Sequence, residues 1–227
     1  MQTIARIHSD FSTKFGIPRQ SGLIPSLTAK VVFEQPYRNA DALRGLEGFS
    51  HIWLLWEFSQ NIREEWSPTV RPPRLGGNTR MGVFATRSPF RPNPIGLSCV
   101  TLESIDYESE EGPVLYVGGA DLLDGTPIYD IKPYLPYTDC HPEAKGGFAE
   151  RVMGDKLEVV CSGNLINKLP EEKRAALLAV LSQDPRPAYQ EDPDRVYGMN
   201  FAGFEIRFKV VNSVLNVQDI YLVEGES

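Results

Sequence analysis

Between Thr3 and Tyr137 the apolar residues come in short runs broken by glycine, proline, asparagine and aspartate, and almost nothing repeats with helical spacing. Short runs bounded by turn formers read as strands. The runs are Thr3–His8, Leu27–Glu34, Ser50–Phe58, Gly82–Thr86, Gly96–Tyr107, Pro113–Ala120 and Ile128–Lys132. One short helix is expected from Asn39 through Leu46, with the Asn39 side chain accepting a bond from an unpaired backbone N–H. A succession of short strands with so little helix predicts a closed or nearly closed barrel over residues 1–137.

Residues 138–155 read as a linker, with Pro142 and Gly146-Gly147 inside it. A second unit spans 156–227. It offers a strand at Lys156–Cys161 and a helix at Glu171–Leu181, where Pro170 suits the start, Glu171 and Glu172 favour the helix dipole, and Ala175, Leu178 and Leu181 share a face. A proline-rich loop, Gln183–Arg195, then leads to a hairpin of Phe204–Val211 and Val214–Val223. The fold class is mainly β: a β-barrel followed by a smaller α+β C-terminal domain.

Several chemistries are disfavoured. Met1–Arg6 has no basic-then-apolar leader, and the longest strongly apolar stretch, Ile52–Trp56, falls far short of a membrane span, so a soluble cytoplasmic protein is expected. Cys99, Cys140 and Cys161 include no Cys-x-x-Cys, which indicates neither a disulfide framework nor a zinc site. Asp121, Asp124 and Asp130 lack calcium-loop spacing, so no metal is expected. No Gly-x-Gly-x-x-Gly follows a strand, leaving a Rossmann cofactor site unsupported. His8, His51 and His141 are scattered, and His51 reads as a core residue of its strand. Asp139-Cys140-His141 reads as linker rather than as a reactive thiol.

Formal net charge is −7, which taken alone argues against a nucleic-acid partner. Yet the window from Trp66 to Ser98 carries Arg71, Arg74, Arg80, Arg87 and Arg91 and no Asp, Glu or Lys. Arginine presents a rigid fork suited to phosphate and carboxylate. Inside the window, Gly82–Ser98 runs strand, loop, strand, and Pro89, Pro92 and Pro94 stiffen the loop before anything binds. Such a loop suits a polar ligand, and equally a stiff turn closing a barrel edge. In Ala120–Tyr134, Asp124-Gly125-Thr126 has the form of a tight turn in which Gly125 permits positive φ. Gly16–Leu23 is a further loop with one arginine. Gln183–Tyr189, followed by Arg195 and Tyr197, supplies Arg and Tyr of the kind that stack on unpaired RNA bases, though a solvated connector has the same composition.

Arg71–Asn78, Gly82–Ser98, Leu122–Pro127 and Asp130–Tyr134 closely resemble the TsaA-like (TrmO) family, and Gln183–Tyr189 resembles a segment of the C-terminal domain of its bacterial members. The resemblance covers nearly the whole chain and is weakest around the linker. It implies a β-barrel, non-Rossmann domain binding S-adenosyl-L-methionine, a homodimer with the cofactor near the interface, and methylation at N6 of the threonylcarbamoylated adenosine 3′ of the anticodon, within the anticodon stem-loop of tRNA. Ser21, Gly22, Leu23, Gln60, Arg87, Leu123, Asp124, Gly125 and Thr126 are then expected around the cofactor. Arg91 and Asn93 are expected to hold the carbamoyl or carboxylate part of the substrate, with Asp124 a less favoured proton acceptor. Arg71, Arg74, Arg80, Arg186 and Tyr189 are expected on the RNA. Two rival readings use the same residues: a non-catalytic RNA-binding module, and a small-molecule methyltransferase.

Overall fold

Side chains that alternate between the inside and the outside of a closed sheet build the first half of the molecule. In the computed structural model, which describes residues 1–62, 65–72, 75, 78–152, 156–186 and 192–223, β1 (Ala5–His8), β2 (Thr28–Phe33), β3 (His51–Glu57), β6 (Ile95–Asp106), β7 (Val114–Gly118) and β8 (Pro127–Pro133) close into a barrel in the order β1-β2-β7-β6-β3-β8. All neighbours are antiparallel, and β8 returns to β1 through Ala5↔Ile128. In β3, Ile52, Leu54 and Trp56 point inward and alternate with partly exposed positions. With Ala5, Ile7, Val31, Val100, Leu115, Val117 and Ile128 they fill the barrel. Closure removes the free edges that an open sheet would present.

The local expectations fare unevenly. Asn39 caps as read, its side chain accepting from the Asp41 N–H at 3.0 Å, but the turn it opens is a 3-10 helix, Ala40–Leu43, that ends before Leu46. Gly82–Thr86 is not a strand. Only Met81–Gly82 (β5) pairs, with Thr69–Val70 (β4), and Val83–Ala85 then coils as a 3-10 turn. The cause is hydroxyl chemistry: Thr86 Oγ1 donates to the Val83 carbonyl at 2.9 Å and accepts from the Ser88 N–H at 3.2 Å, offering the backbone an alternative to a ladder. His51 is exposed rather than in the core. It sits on the outer face of β3 beside Tyr134, with ring centroids 6.0 Å apart.

The C-terminal sheet has the order β10-β11-β12-β9, from β10 (Tyr197–Phe201), β11 (Phe204–Val211), β12 (Val214–Leu222) and β9 (Glu158–Val160), with β9 parallel to β12. Two short helices precede its main one: α1 (Pro136–Asp139), which spans the end of the barrel unit and the start of the segment read as linker, and α2 (Gly163–Ile166). The helix α3 (Glu171–Ser182) covers the sheet, but through Ala176, Leu177, Val180 and Leu181. Ala175 is exposed and Leu178 only partly buried, so the expected Ala175–Leu178–Leu181 face is not the one that packs. Strand β10 was not foreseen, because Gly198 and Asn200 are poor strand formers, though Tyr197, Met199 and Phe201 do alternate inward.

The second core also takes in residues from far upstream. Phe11, Ile24 and Leu27, with Phe15 and Ile17 against them, join α3 and the C-terminal sheet in one apolar cluster. Phe11 meets Phe201 edge-to-face at 5.5 Å, and Lys173 of α3 pairs with Asp10 at 2.8 Å. The irregular segment 10–27 therefore has one side on the C-terminal sheet and the other against the barrel rim, where the Gly22 N–H donates to the Gly119 carbonyl at 2.8 Å. That position aims its loop at the cavity described next.

Candidate functional site

At one end of the barrel lies a cavity of about 600 Å³, within the range of pockets that enclose a small molecule. Its floor is the end of the β3–β6 pair. Gly96 stands directly opposite Trp56 in that ladder, and a Cβ on residue 96 would lie 2.2 Å from the indole, so the ring occupies its place against the strand only because residue 96 has no side chain. The buried indole N–H donates to Ser98 Oγ at 3.0 Å, and Ser98 Oγ donates in turn to the Asp121 carboxylate at 2.6 Å. Phe58 meets Trp56 edge-on at 4.3 Å. The floor is thus an aromatic plate joined by a hydrogen-bond chain to a carboxylate.

Asp121 lines the cavity, and burial pushes its carboxyl above the usual carboxylate range. The Ser98 bond, backbone N–H groups of Asp121 and Ser21, and the positive charge of Arg87 oppose that push. Cations line the same cavity. Arg87 donates to the Gln20 side-chain carbonyl, and Lys14 donates to the Gln60 carbonyl at 3.1 Å and to Asn61 Oδ1 at 2.9 Å, tying the 14–20 loop to the end of β3. A cavity that combines a carboxylate, guanidinium and ammonium groups and an aromatic floor suits a zwitterionic cation that carries a flat ring. Among the described residues, no cluster of three His, Cys, Asp or Glu side chains suits a metal ion. Nearby, Tyr129 is pushed up to about 12 by burial and by the Glu57 carboxylate facing it.

Of the residues expected around the cofactor, Gln60, Arg87, Leu123 and Thr126 line this cavity. Ser21 lies behind it, its hydroxyl accepting from the Cys99 N–H at 3.1 Å, and exposed Leu23 lies outside its lining. Gly22 and Gly125 adopt positive φ, +76° and +74°. Gly125 serves the turn closed by the Thr126 N–H on the Leu123 carbonyl, which pins Leu123 and Thr126 at the cavity. The Asp124 carboxylate turns away, accepting from the Ser9 N–H at 3.1 Å and facing His8 at 3.4 Å.

Arg91 lines the cavity, and its Nη1 donates to the carbonyls of Thr86 (2.6 Å) and Val83 (3.2 Å), which fixes the direction of the guanidinium fork. Asn93 is exposed and outside the lining. Arg71 and Arg80 are exposed near the β4–β5 pair. Arg186 forms a two-pronged pair with Asp184, at 2.8 and 2.9 Å, and is mostly buried. Arg74 and Tyr189 lie outside the described residues. Sequence reasoning missed Trp56, Ser98, Asp121, Lys14 and Gln20 as site residues. Asp121 and Ser98 stood inside quoted stretches, but nothing local marked them as partners of each other.

Known proteins match the chain over most of its length. Residues 6–140 match the family described as tRNA-methyltransferase O N-terminal domain, and residues 155–223 match the TrmO C-terminal domain. A protein of Escherichia coli named tRNA (adenine(37)-N6)-methyltransferase is 43% identical over 224 residues, covering 95% of each chain. A Pseudomonas aeruginosa protein that carries the name of an S-adenosylmethionine-dependent methyltransferase is 41% identical over 213 residues, covering 90% of each. The crystal structure of TrmO from Pseudomonas aeruginosa superposes with a TM-score of 0.79 at 33% identity, covering 97% of this chain and 96% of that one.

Proposed function

The chain belongs to the tRNA-methyltransferase O family, and from that premise we propose how its cavity serves the reaction. The protein is an S-adenosylmethionine-dependent methyltransferase that methylates N6 of adenine 37 in tRNA. When bound, the cofactor supplies an electrophilic methyl group on a sulfonium. The observation that carries the assignment of the site is the pairing of an inward carboxylate, Asp121, with Arg87 and Lys14 in one cavity over the Trp56 plate. Arg87 holds the cofactor carboxylate by a charge-assisted bond. Asp121 faces its positive end, and Trp56, Leu123 and Thr126 enclose its flat and apolar parts. Gly22 and Gly125, both at positive φ, shape the turns that carry the neighbouring loops to the cavity, with Gln60 on its wall and Ser21 and Leu23 in the adjoining loop.

Methyl transfer from a sulfonium is an in-line displacement, so positioning is the largest contribution the protein makes. A plain adenine amine is a poor nucleophile, whereas a carbamoylated one is more acidic because its carbonyl shares the negative charge. The substrate on this reading is adenosine that already bears a threonylcarbamoyl group. Arg91, with Nη1 already held by two carbonyls, presents the rest of its fork to the carbamoyl or carboxylate portion, and Asn93 extends the same loop toward it. Asp124 is occupied by Ser9 and His8, which favours a structural role over proton transfer. Arg71, Arg74 and Arg80 contact phosphates, while Arg186 and Tyr189 of the 156–227 unit approach the anticodon loop. Exposed Ile95 and Leu97 at the cavity rim support a homodimer with the cofactor near its interface. Among the described residues no helix is long and apolar enough to cross a membrane, and a tRNA substrate fits a cytoplasmic enzyme.

Tritiated-methyl incorporation into threonylcarbamoylated and unmodified tRNA tests the substrate, with titration calorimetry of S-adenosylmethionine alongside. The expected outcome is strong incorporation into the modified tRNA only. Arg91→Ala should abolish incorporation while cofactor affinity largely survives. Equal rates on the two tRNAs refute the role of the carbamoyl group and of Arg91.

A further inference from the structure

Beside the cofactor cavity lies a second cavity of about 370 Å³, lined by Asn61, Glu65, Trp66, Ser67, Phe90 and Arg91. Asn61, Phe90 and Arg91 line both, so these side chains are the shared wall between the two spaces. Trp66 of that lining is stacked on Phe84, which lies outside it. Trp66 is 52% exposed and Phe84 72% exposed, and their rings stack at 6.1 Å with 30° between planes. The Arg91 guanidinium lies 5.8 Å from the Phe84 ring centre.

Neither aromatic ring belongs to either core. Two large rings held in register yet left in water are poorly explained by folding, since burying them would gain more than their mutual contact. Stacked rings with a guanidinium alongside form the kind of surface on which an unpaired base is held. The surrounding charge points to the same ligand. Arginine is the only charged residue type in the 66–98 window, and Arg71 and Arg80 are exposed there, which suits the phosphates on either side of such a base. The volume sits near the lower end of small-ligand pockets, about 300 Å³, which suits one nucleoside. An enzyme that modifies a base edge must also take that base out of its stack and hold it next to the reacting cofactor atoms. A compartment sharing three side chains with the cofactor cavity is placed for that.

We propose that Trp66, Phe84 and the second cavity form the subsite that seats the adenine to be methylated, its ring stacked on the exposed aromatic pair and its exocyclic amine directed past Phe90 and Arg91. The inference rests on the tRNA-methyltransferase reading above and adds to it the compartment that receives the base. Arg91 then touches both the substrate and the wall of the cofactor space, which fits its assignment to the carbamoyl portion.

The test compares the wild-type chain with Trp66→Ala, Phe84→Ala and Trp66→Phe in steady-state methylation of threonylcarbamoylated tRNA. Cofactor titration and sedimentation velocity are run on each. Loss of one stacking contact should lower kcat/KM for tRNA roughly 5- to 100-fold for either alanine variant. Trp66→Phe should restore most of that loss, and S-adenosylmethionine affinity should stay within about twofold throughout, since neither ring lines the first cavity. An anticodon stem-loop RNA should quench indole fluorescence more in the wild-type chain than in Trp66→Phe, and an RNA abasic at the target position should remove that difference. Unchanged kcat/KM in both alanine variants overturns the subsite while leaving the methyltransferase reading intact. A shift to a smaller sedimenting species in Trp66→Ala also overturns it, because the pair would then face a second copy of the chain. Failure of the wild-type chain to methylate any tRNA would overturn both readings.

Discussion

Replacing Gly96 by alanine should damage the cavity floor more than any other single methyl addition among the barrel strands. The new Cβ would meet three atoms of the Trp56 ring at 2.2, 2.4 and 2.6 Å, far inside contact distance, and the indole cannot swing away freely because it is 93% buried and edge-packed on Phe58. Two terms follow. Overpacking a closed core costs about 1–3 kcal/mol. Displacing the indole also breaks its bond to Ser98 and leaves a buried N–H unsatisfied, which adds about 1–3 kcal/mol. A central estimate of about 3 kcal/mol lowers the melting temperature of a chain this size by roughly 6–12 °C. Urea unfolding of the apo protein measures it. Gly82→Ala is the control: its Cβ would meet nothing within 4 Å and its φ is −58°, so it should be neutral or slightly stabilising through the unfolded chain. Trp56→Leu combined with Gly96→Ala should recover part of the loss, because the colliding ring is gone. A destabilisation under about 0.5 kcal/mol for Gly96→Ala, or no coupling with position 56, refutes the claim that the glycine exists to seat the indole.

Three further outcomes follow from individual side chains. The Asp121 carboxyl is raised by burial, so the folded state binds its proton more tightly than the unfolded chain does, and the stability this contributes is present below about pH 3.8 and lost as pH rises through the folded value. Asp121→Asn should therefore unfold later than wild type at pH 7 and together with it at pH 3, while calorimetry shows S-adenosylmethionine affinity falling roughly 10- to 100-fold through the lost charged contact; weaker apo stability at pH 7 would contradict this. Phe11→Ala should cost about 3–5 kcal/mol in urea unfolding, because Phe11 is 1% exposed and packs on Phe201 inside the C-terminal core; a loss below 1 kcal/mol would show that the 10–27 segment merely lies on that core. Tyr129, raised from 10.0 to about 12, contributes stability that is present below pH 10 and lost as pH climbs toward 12, so Tyr129→Phe should flatten that alkaline decline, and a tyrosinate absorbance titration of the two proteins should differ by one late-titrating phenol.

Most strands of the barrel were legible in the sequence because they rest on local chemistry. The dense apolar run in Ser50–Phe58 and the long run Gly96–Tyr107 mark strands wherever they end up, and Gly125 is recognisable as a positive-φ turn because only its neighbours matter to that turn. The family resemblance likewise came from contiguous stretches. Which face of α3 packs was not legible: residues 175–181 read Ala-Ala-Leu-Leu-Ala-Val-Leu, apolar all round, so periodicity cannot choose a stripe and the sheet beneath chooses Ala176, Leu177, Val180 and Leu181. The Gly82–Thr86 error has the opposite origin, a short apolar run whose backbone the Thr86 hydroxyl claims.

The cavity itself belongs to tertiary structure. Arg87 meets Gln20, 67 residues away, Cys99 meets Ser21 across 78, and Trp56 reaches Ser98 across 42. No local pattern encodes such a pairing, because each side chain satisfies ordinary strand or loop preferences by itself. The sequence by itself determined strands, turns, an arginine-rich rigid loop and the family. Only barrel closure, and the seating of residues 10–27 on the C-terminal core, decided that Asp121, Arg87 and Trp56 share one space, since distance across a barrel depends on strand order and register and not on separation along the chain.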